Sequence, residues 1–257
     1  MNNTITCKYI GHATTLITIG KTNILTDPHF CRRTLFFKRH AELNTDPAKL
    51  PELLAILISH THFDHLNISS YKYISSKIPI IVPEGCNGAI ENYINNPIIE
   101  LSLFATHQFP DGTVVTAVPA KHRGGRYSQL RYTKTNAYLI QKGKSCVYFT
   151  GNSAYGPHFK ETSSLSQIDL ALLPISGYSP RWLMRSRHMT PSETVQAFED
   201  LQAKHMMPIH WGSFSLSLEP LGQPIELLKK ILEGKPDLEE RIHILPHGDD
   251  IIINPSA

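Results

Sequence analysis

The sequence predicts an α+β chain in which two mixed β-sheets pack face to face with helices outside, a four-layer αβ/βα sandwich. Three observations carry that reading. Strand-like runs precede helix-like segments in an early half of the chain and again in a late half. Few long linkers interrupt them, so the 257 residues, 41% hydrophobic, read as one domain over residues 1–257. Residues able to bind metal recur at strand ends, which places a site along one edge of the sandwich.

Residues 5–10 (ITCKYI) and 14–19 (TTLITI) alternate as half-buried strands do, with Gly11-His12-Ala13 between them. Gly20-Lys21 is a turn, and Asn23–Thr26 is a third strand that stops at Asp27-Pro28. An acidic group there can orient a metal-bound histidine by accepting its second ring proton. Asp27 is the candidate for that role, beside the plainer one of a turn-forming Asp-Pro. Residues 30–40 (FCRRTLFFKRH) interleave basic and aromatic side chains. A solvated loop is the default, but Leu35-Phe36-Phe37 flanked by Arg32, Arg33, Lys38 and Arg39 also suits a bilayer interface or an acyl chain.

Leu53–Ile58 is a continuous apolar run that reads as a buried strand, and it delivers His60-Thr61-His62-Phe63-Asp64-His65. In extended backbone the side chains at i and i+2 face the same way, so His60 and His62 can share one metal. Asp64 and His65 come after the turn and face a neighbouring position. Imidazole and carboxylate suit zinc, manganese or iron. A lone loop histidine is usually only solvated. Three histidines and an aspartate at this spacing are hard to reach by chance, even with 14 histidines in the chain.

Residues 66–76 and 86–95 read as short helices. Ile78–Pro83, Ile98–Phe104 and Thr113–Pro119 read as strands, the last two separated by a turn at Pro110-Asp111-Gly112. His122 follows a strand and can complete a three-histidine set with His60 and His62. Asn136–Ile140 and Ser145–Thr150 pair as a hairpin, and the second leads into Gly151-Asn152-Ser153. The apolar run Ile168–Pro174 opens a long segment ending at His188. Thr190-Pro191-Ser192-Glu193 combines a threonine cap, a proline in the first turn and a capping-box glutamate, so a helix spans residues 191–204. Met207-Pro208-Ile209 is a short strand that delivers His210-Trp211-Gly212. A helix over 224–233 and a strand over 241–245 complete the chain.

Composition narrows the function classes. A net charge of +3 with no long cationic clamp gives no reason to expect nucleic acid. No apolar run reaches the length of a membrane span. Met1-Asn2-Asn3-Thr4 lacks the basic start and apolar core of a signal peptide. Four scattered cysteines without a Cys-x-x-Cys pair read as reduced thiols of a cytoplasmic protein, peripheral on a membrane if residues 30–40 dock there. Export by a route without a leader stays open.

The pattern His60-x-His62-x-Asp64-His65, with His122 and His210 at later strand ends, resembles the metallo-β-lactamase superfamily. Gly11–Thr14 (GHAT), Leu25–Pro28 (LTDP), Ile58–Leu66 (ISHTHFDHL), Pro174–His188 and Ile209–Phe214 (IHWGSF) narrow it. Together they are similar to the N-acylphosphatidylethanolamine-hydrolysing phospholipase D branch and its bacterial relatives, over almost the whole chain. By position, the resemblance implies His60, His62 and His122 around one divalent ion and Asp64, His65 and His210 around a second. Zinc is the expected metal, with manganese or iron as alternatives. His188 resembles a histidine that contacts the scissile group and helps to protonate the leaving alcohol. Tyr178, Arg181 and Trp182 would line the substrate side, while Trp211 packs beneath the site.

The implied activity is two-metal hydrolysis of (N-acyl)phosphatidylethanolamine or a related phospholipid, with a metal-bound hydroxide attacking phosphorus and Asp64 orienting it. Arg181, Arg185 and Arg187 offer anion-binding charge beside the cleft. The same metals also serve hydrolases of lactones, sugar lactone phosphates and cyclic phosphodiesters. An inactive metal-stabilised module that binds lipid or a protein partner is the non-enzyme alternative.

Two departures from the branch stand out. The family's bridging aspartate, in a Gly-Asp-Ser/Thr-Gly segment, is replaced in Gly151-Asn152-Ser153-Ala154. A neutral amide oxygen is a weaker ligand than a carboxylate and leaves the cluster about one positive charge richer. A weakened or missing metal and slow chemistry are expected. The asparagine reads as an introduced exchange, as a native site tuned to another metal, or as the mark of a pseudoenzyme. The long N-terminal extension of the animal enzyme is also expected to be missing, with residues 30–40 as a substitute for membrane docking.

Overall fold

Alternating burial along the first three runs produces a meander of β1 (Ile5–Gly11), β2 (Thr14–Ile19) and β3 (Thr22–Thr26), each pairing antiparallel with the next. A small separate hairpin follows, β4 (Arg33–Thr34) with β5 (Phe37–Lys38). The chain then crosses over to add β6 (Ala55–Leu57), β7 (Ile80–Pro83) and β8 (Ile98–Leu101) in parallel beside β3. Every residue of β6 and β7 is buried, as a parallel strand covered on both faces requires. These coordinates, a computed structural model, describe residues 3–126 and 134–254. Met1 and Asn2 of the segment read for a leader lie outside the described residues, as do 127–133 and 255–257 of the expected domain.

A second sheet is built from β9 (Thr106–Gln108), β10 (Val114–Pro119), β11 (Asn136–Lys142), β12 (Ser145–Phe149), β13 (Leu170–Pro174) and β14 (His205–Ile209), adjacent in that order. Its first four strands are antiparallel and its last three parallel. The final strand, β15 (Asp250–Ile253), returns to the first sheet and pairs antiparallel with β1. The sheets face each other across a core that includes Ile5, Tyr9 and Ile17 on one side and Tyr138, Leu172 and Ile209 on the other.

Helices cover the outer face of the second sheet: α1 (His158–Ser163), α3 (Pro191–Asp200), α4 (Gln223–Leu232) and α5 (Pro236–Arg241), with a short α2 (Arg181–Met184) nearer the site. Phe159, Phe198, Leu228 and Leu238 carry that packing. The capping box of α3 is present: Glu193 N donates to Thr190 Oγ1 at 3.3 Å, and Thr190 N donates to a Glu193 carboxylate oxygen at 2.9 Å. The helix stops before 204 because Gln202 takes a left-handed φ of 51°.

The other outer layer differs from the expected helices. Residues 66–76 and 86–95 contain only 3₁₀ segments, Ile68–Tyr73 and Asn87–Ala89. Serines, asparagines, a glycine and β-branched or aromatic residues fill these stretches, and none favours a long α-helix. They still bury Tyr71, Ala89 and Ile90 against the sheet, so the layer is present in another form. The expected strand over 241–245 is also absent. Ile242 makes one isolated bridge to Met206, because Pro236 starts a helix that runs to Arg241. No helix among the described residues is long and apolar enough to cross a membrane.

Candidate metal centre

Two parallel neighbours, β3 and β6, end side by side, and this brings Asp27 to the root of the histidine-rich loop. Ser59 donates its backbone N–H and its hydroxyl to the two Asp27 carboxylate oxygens, at 2.7 and 2.6 Å. Asp27 Oδ2 also lies 2.6 Å from His65 Nδ1. Asp27 thus turns the His65 ring so that Nε2 faces inward. Other outer nitrogens are held in the same way. His60 Nδ1 is 2.9 Å from Ser59 Oγ, His122 Nδ1 donates to Arg187 O at 2.9 Å, and His210 Nδ1 is 3.1 Å from Ser176 Oγ.

The inward atoms form two adjacent groups. His60, His62 and His122 make one, with His62 Nδ1 at 2.9 Å from His60 Nε2 and 3.3 Å from His122 Nε2. Asp64, His65 and His210 belong to the other, with both Nε2 atoms 3.4 Å from Asp64 Oδ2. Within each group the ligand atoms all lie within 4.8 Å of one another. The second group has a further member that sequence reasoning did not select. His12 Nε2 stands 2.9 Å from Asp64 Oδ2. Its carbonyl accepts from His210 N at 2.7 Å, and both residues sit in the left-handed region, at φ 59° and 61°. Such strain in non-glycine residues is held by surrounding structure and concentrates at functional sites. The signals available were a histidine directly after a glycine at the end of an alternating strand and its place in the GHAT segment of the resemblance.

Burial dominates the electrostatics. It pushes His12, His60, His188 and His210 below the ordinary histidine range, and His122 down to about 3. Neutral rings keep lone pairs free for a cation. Burial opposes charge on His65 too, but Asp64 and Asp27 outweigh it and raise it to about 9. Burial alone would raise Asp64. His65 and the hydrogen bonds from His12 and His210 outweigh it and hold the carboxyl well below its usual range. His65 apart, the crowded ring nitrogens are neutral, and such nitrogens beside one carboxylate fit a divalent metal with nitrogen and oxygen ligands.

A description of the beta-lactamase superfamily domain matches residues 22–211 of this chain. The chain belongs to that superfamily. It is 29% identical over 252 residues to N-acyl-phosphatidylethanolamine-hydrolyzing phospholipase D 1 of Caenorhabditis elegans, covering 90% of this chain and 71% of the worm protein. It is 31% identical over 241 residues to the mitochondrial N-acyl-phosphatidylethanolamine-hydrolyzing phospholipase D of Saccharomyces cerevisiae, covering 88% of this chain and 51% of the yeast protein. The chain therefore spans only about half the length of the yeast relative. Among solved structures, Igni18, a metallo hydrolase from Ignicoccus hospitalis, superposes with a TM-score of 0.75 at 17% identity, over 98% of this chain and all of the other. That likeness concerns the fold.

Against this superfamily frame, Asn152 stands in the second group. Its Nδ2 is 2.8 Å from His65 Nε2 and 3.3 Å from His210 Nε2, and its buried Oδ1 has no hydrogen-bond partner. His188 lies beside both groups, its ring centroid 5.1 Å from His122 and 5.9 Å from His210. Its Nδ1 is enclosed next to Gly177, where an added Cβ would come within 2.6 Å. Arg181 is already engaged: it donates to His188 O at 2.9 Å and pairs with Glu193. The buried Tyr178 donates to Gln223 Oε1 at 3.2 Å. Trp182 is on the outside of α2. Trp211, next in the chain after His210, stacks on Tyr9 with ring centroids 5.9 Å apart.

Several histidines outside the two groups are also held neutral. Burial lowers His158, His243 and His247 to about 4, and burial with Arg39 lowers His29 to about 3. Their folded values lie below the unfolded value of about 6.5, so the unfolded chain binds more protons in between. Their contribution is complete above about pH 6.5 and is lost as pH falls toward 3–4. Denaturant melts of metal-free protein should show stability falling through that window. A flat profile would contradict the buried neutral assignment.

Proposed function

We propose that this protein is a metal-dependent hydrolase that cleaves a phosphodiester of a phospholipid, in the manner of a phospholipase D. (N-acyl)phosphatidylethanolamine is the substrate class. The observation that carries the reading is the pair of adjacent ligand groups with His188 beside both of them. The names of the worm and yeast relatives support the substrate class. His60, His62 and His122 would hold one ion, and Asp64, His65 and His210 a second, with His12 beside them.

When bound, the ions supply Lewis acidity and an activated water near neutral pH. The chain does the rest. Asp64, fixed by His12, orients the attacking water. Asp27 and Ser59 keep His65 and His60 aimed inward. His188, held neutral by burial, donates a hydrogen bond from Nε2 to the leaving oxygen, since Nδ1 is shut against Gly177, and solvent water supplies the proton that oxygen takes up. Arg181 positions His188 through its carbonyl. Exposed Arg185 and Arg187 place positive charge near an anionic substrate.

The test is metal analysis combined with assays on N-acylphosphatidylethanolamine, phosphatidylethanolamine and a lactone. Phosphatidic acid should form, and chelation should abolish it. His188→Gln should lower kcat by about 10²–10⁴-fold with bound metal unchanged. Turnover of the lactone alone would move the substrate to the small polar esters. Full metal with no turnover would favour a binding module, the reading that Asn152 supports.

A further inference from the structure

We infer that the hairpin β4–β5, with Leu218 and the outer side of α2, forms a membrane-docking surface that seats the site on a bilayer carrying anionic lipids. The inference rests on the phospholipid reading for its purpose; its evidence is separate. The hairpin registers Arg33 with Lys38 and Thr34 with Phe37, which leaves Leu35-Phe36 as a two-residue turn. Such turns favour Asn-Gly or a glycine, which accept positive φ and water. Here Leu35 takes φ 50°, and Phe36 is 91% exposed. The local choice is poor for both backbone and hydration, and sequences tend to break such rules where function requires it.

The hairpin does not stand alone. Its base closes through Arg39 N to Arg32 O at 2.8 Å, and His40 N donates to Ser213 O at 2.8 Å. His40 Nε2 is 3.2 Å from Ser215 Oγ. The same loop reaches Leu218, which is 76% exposed and whose N–H donates to Ser179 O at 3.2 Å. Next in the chain comes α2, where Trp182 is 79% exposed and Leu183 is also exposed. Three exposed apolar groups are thus tied along one continuous set of contacts. Large exposed apolar groups carried on elements linked in this way mark an interaction site.

That surface is tied to the metal centre. The Arg39 guanidinium donates to His29 O at 2.6 Å and lies 4.6 Å over the Phe214 ring, whose edge meets His12 at 5.2 Å. Charge selects the occupant. Residues 30–40, 176–188 and 212–218 contain no aspartate or glutamate, although the chain has 22 acidic residues. They do carry the exposed cations Arg32, Arg33, Lys38, Arg185 and Arg187. Apolar tips ringed by cations match an interface of acyl chains beneath anionic headgroups.

Flotation of the whole protein with phosphatidylcholine vesicles, with and without phosphatidylglycerol, tests this. The protein should float with the anionic vesicles and be released by added salt. Phe36→Ser should weaken binding about tenfold, and Leu218→Ser should weaken it in the same direction. Arg33→Ala should weaken it about fivefold, on anionic vesicles only. Turnover of a lipid dissolved in micelles should be unchanged by Phe36→Ser. Binding that resists Phe36→Ser and Arg33→Ala overturns the inference. So does turnover in micelles without vesicle binding, which leaves the proposed reaction standing. Vesicle binding without any turnover supports the surface and removes the reaction. A dimer that Phe36→Ser dissociates, with no vesicle binding, assigns the patch to a second copy and overturns the membrane.

Discussion

Asn152→Asp should tighten binding of a second divalent ion by about ten- to a hundredfold and raise turnover with it. The reason is charge. Asp27 and Asp64 are the two carboxylates around the described cluster, and Asp27 is taken up by Ser59 and His65. Asp64 alone would be left to offset whatever cations the two groups hold. The amide of Asn152 already reaches within 2.8 Å of His65 Nε2, so a carboxylate of the same shape would sit at the ligands without repacking. The metal-free variant should be less stable than the parent, because a third carboxylate would be buried around the one His65 that Asp27 and Asp64 already share. The loaded variant should be more stable. Metal retained after dialysis against a competing chelator, together with melts of both forms, would check this. Equal retention by both proteins would remove charge as the reason for a weakened site.

Gly151→Ala should destabilise the fold by about 2–5 kcal/mol and disorganise the centre. Gly151 takes φ 62°, and an added Cβ would fall 2.2 Å from Ser59 Cβ and 2.4 Å from its Oγ. Ser59 cannot yield: it is wholly buried and bonded to Asp27, which orients His65. The clash therefore strikes the root of both ligand groups. Gly85→Ala is a useful comparison, since Gly85 has φ 82° but nothing within 4 Å of the added atom. It should cost only about 1–2 kcal/mol, the backbone share. Similar urea midpoints for the two variants would show that the overlap with Ser59 is relieved cheaply.

The hexad was legible because its spacing alone pairs His60 with His62, and the apolar run before it marks a strand end. His122 followed from the same strand-end logic, His210 from its strand end together with the resemblance, and Asp27 from the proline that stops β3. His12 was not legible. Its place depends on a register shift between Tyr9 and Gly11 and on a hydrogen bond from His210, the residue just past a strand of the other sheet. Neither leaves a spacing in the sequence. The two central sheets were read from apolar alternation and continuous runs, which report burial directly. The layer over the first sheet was read as helical from its start and stop signals, while its serines, asparagines and glycine favour tighter turns. The end of the chain failed for another reason. Ile242 and Ile244 mimic a strand, whereas the true edge strand lies after the Gly248 turn.

The main-chain link from His210 N to His12 O bears on how the protein is made. A ribosome releases His12, Asp64 and His65 long before it releases His210, and β1 waits still longer for β15. The early histidines must therefore remain without their last partner through most of synthesis. Any cation the second group holds would therefore enter late, and a stalled or truncated polypeptide would hold the hexad without the pocket.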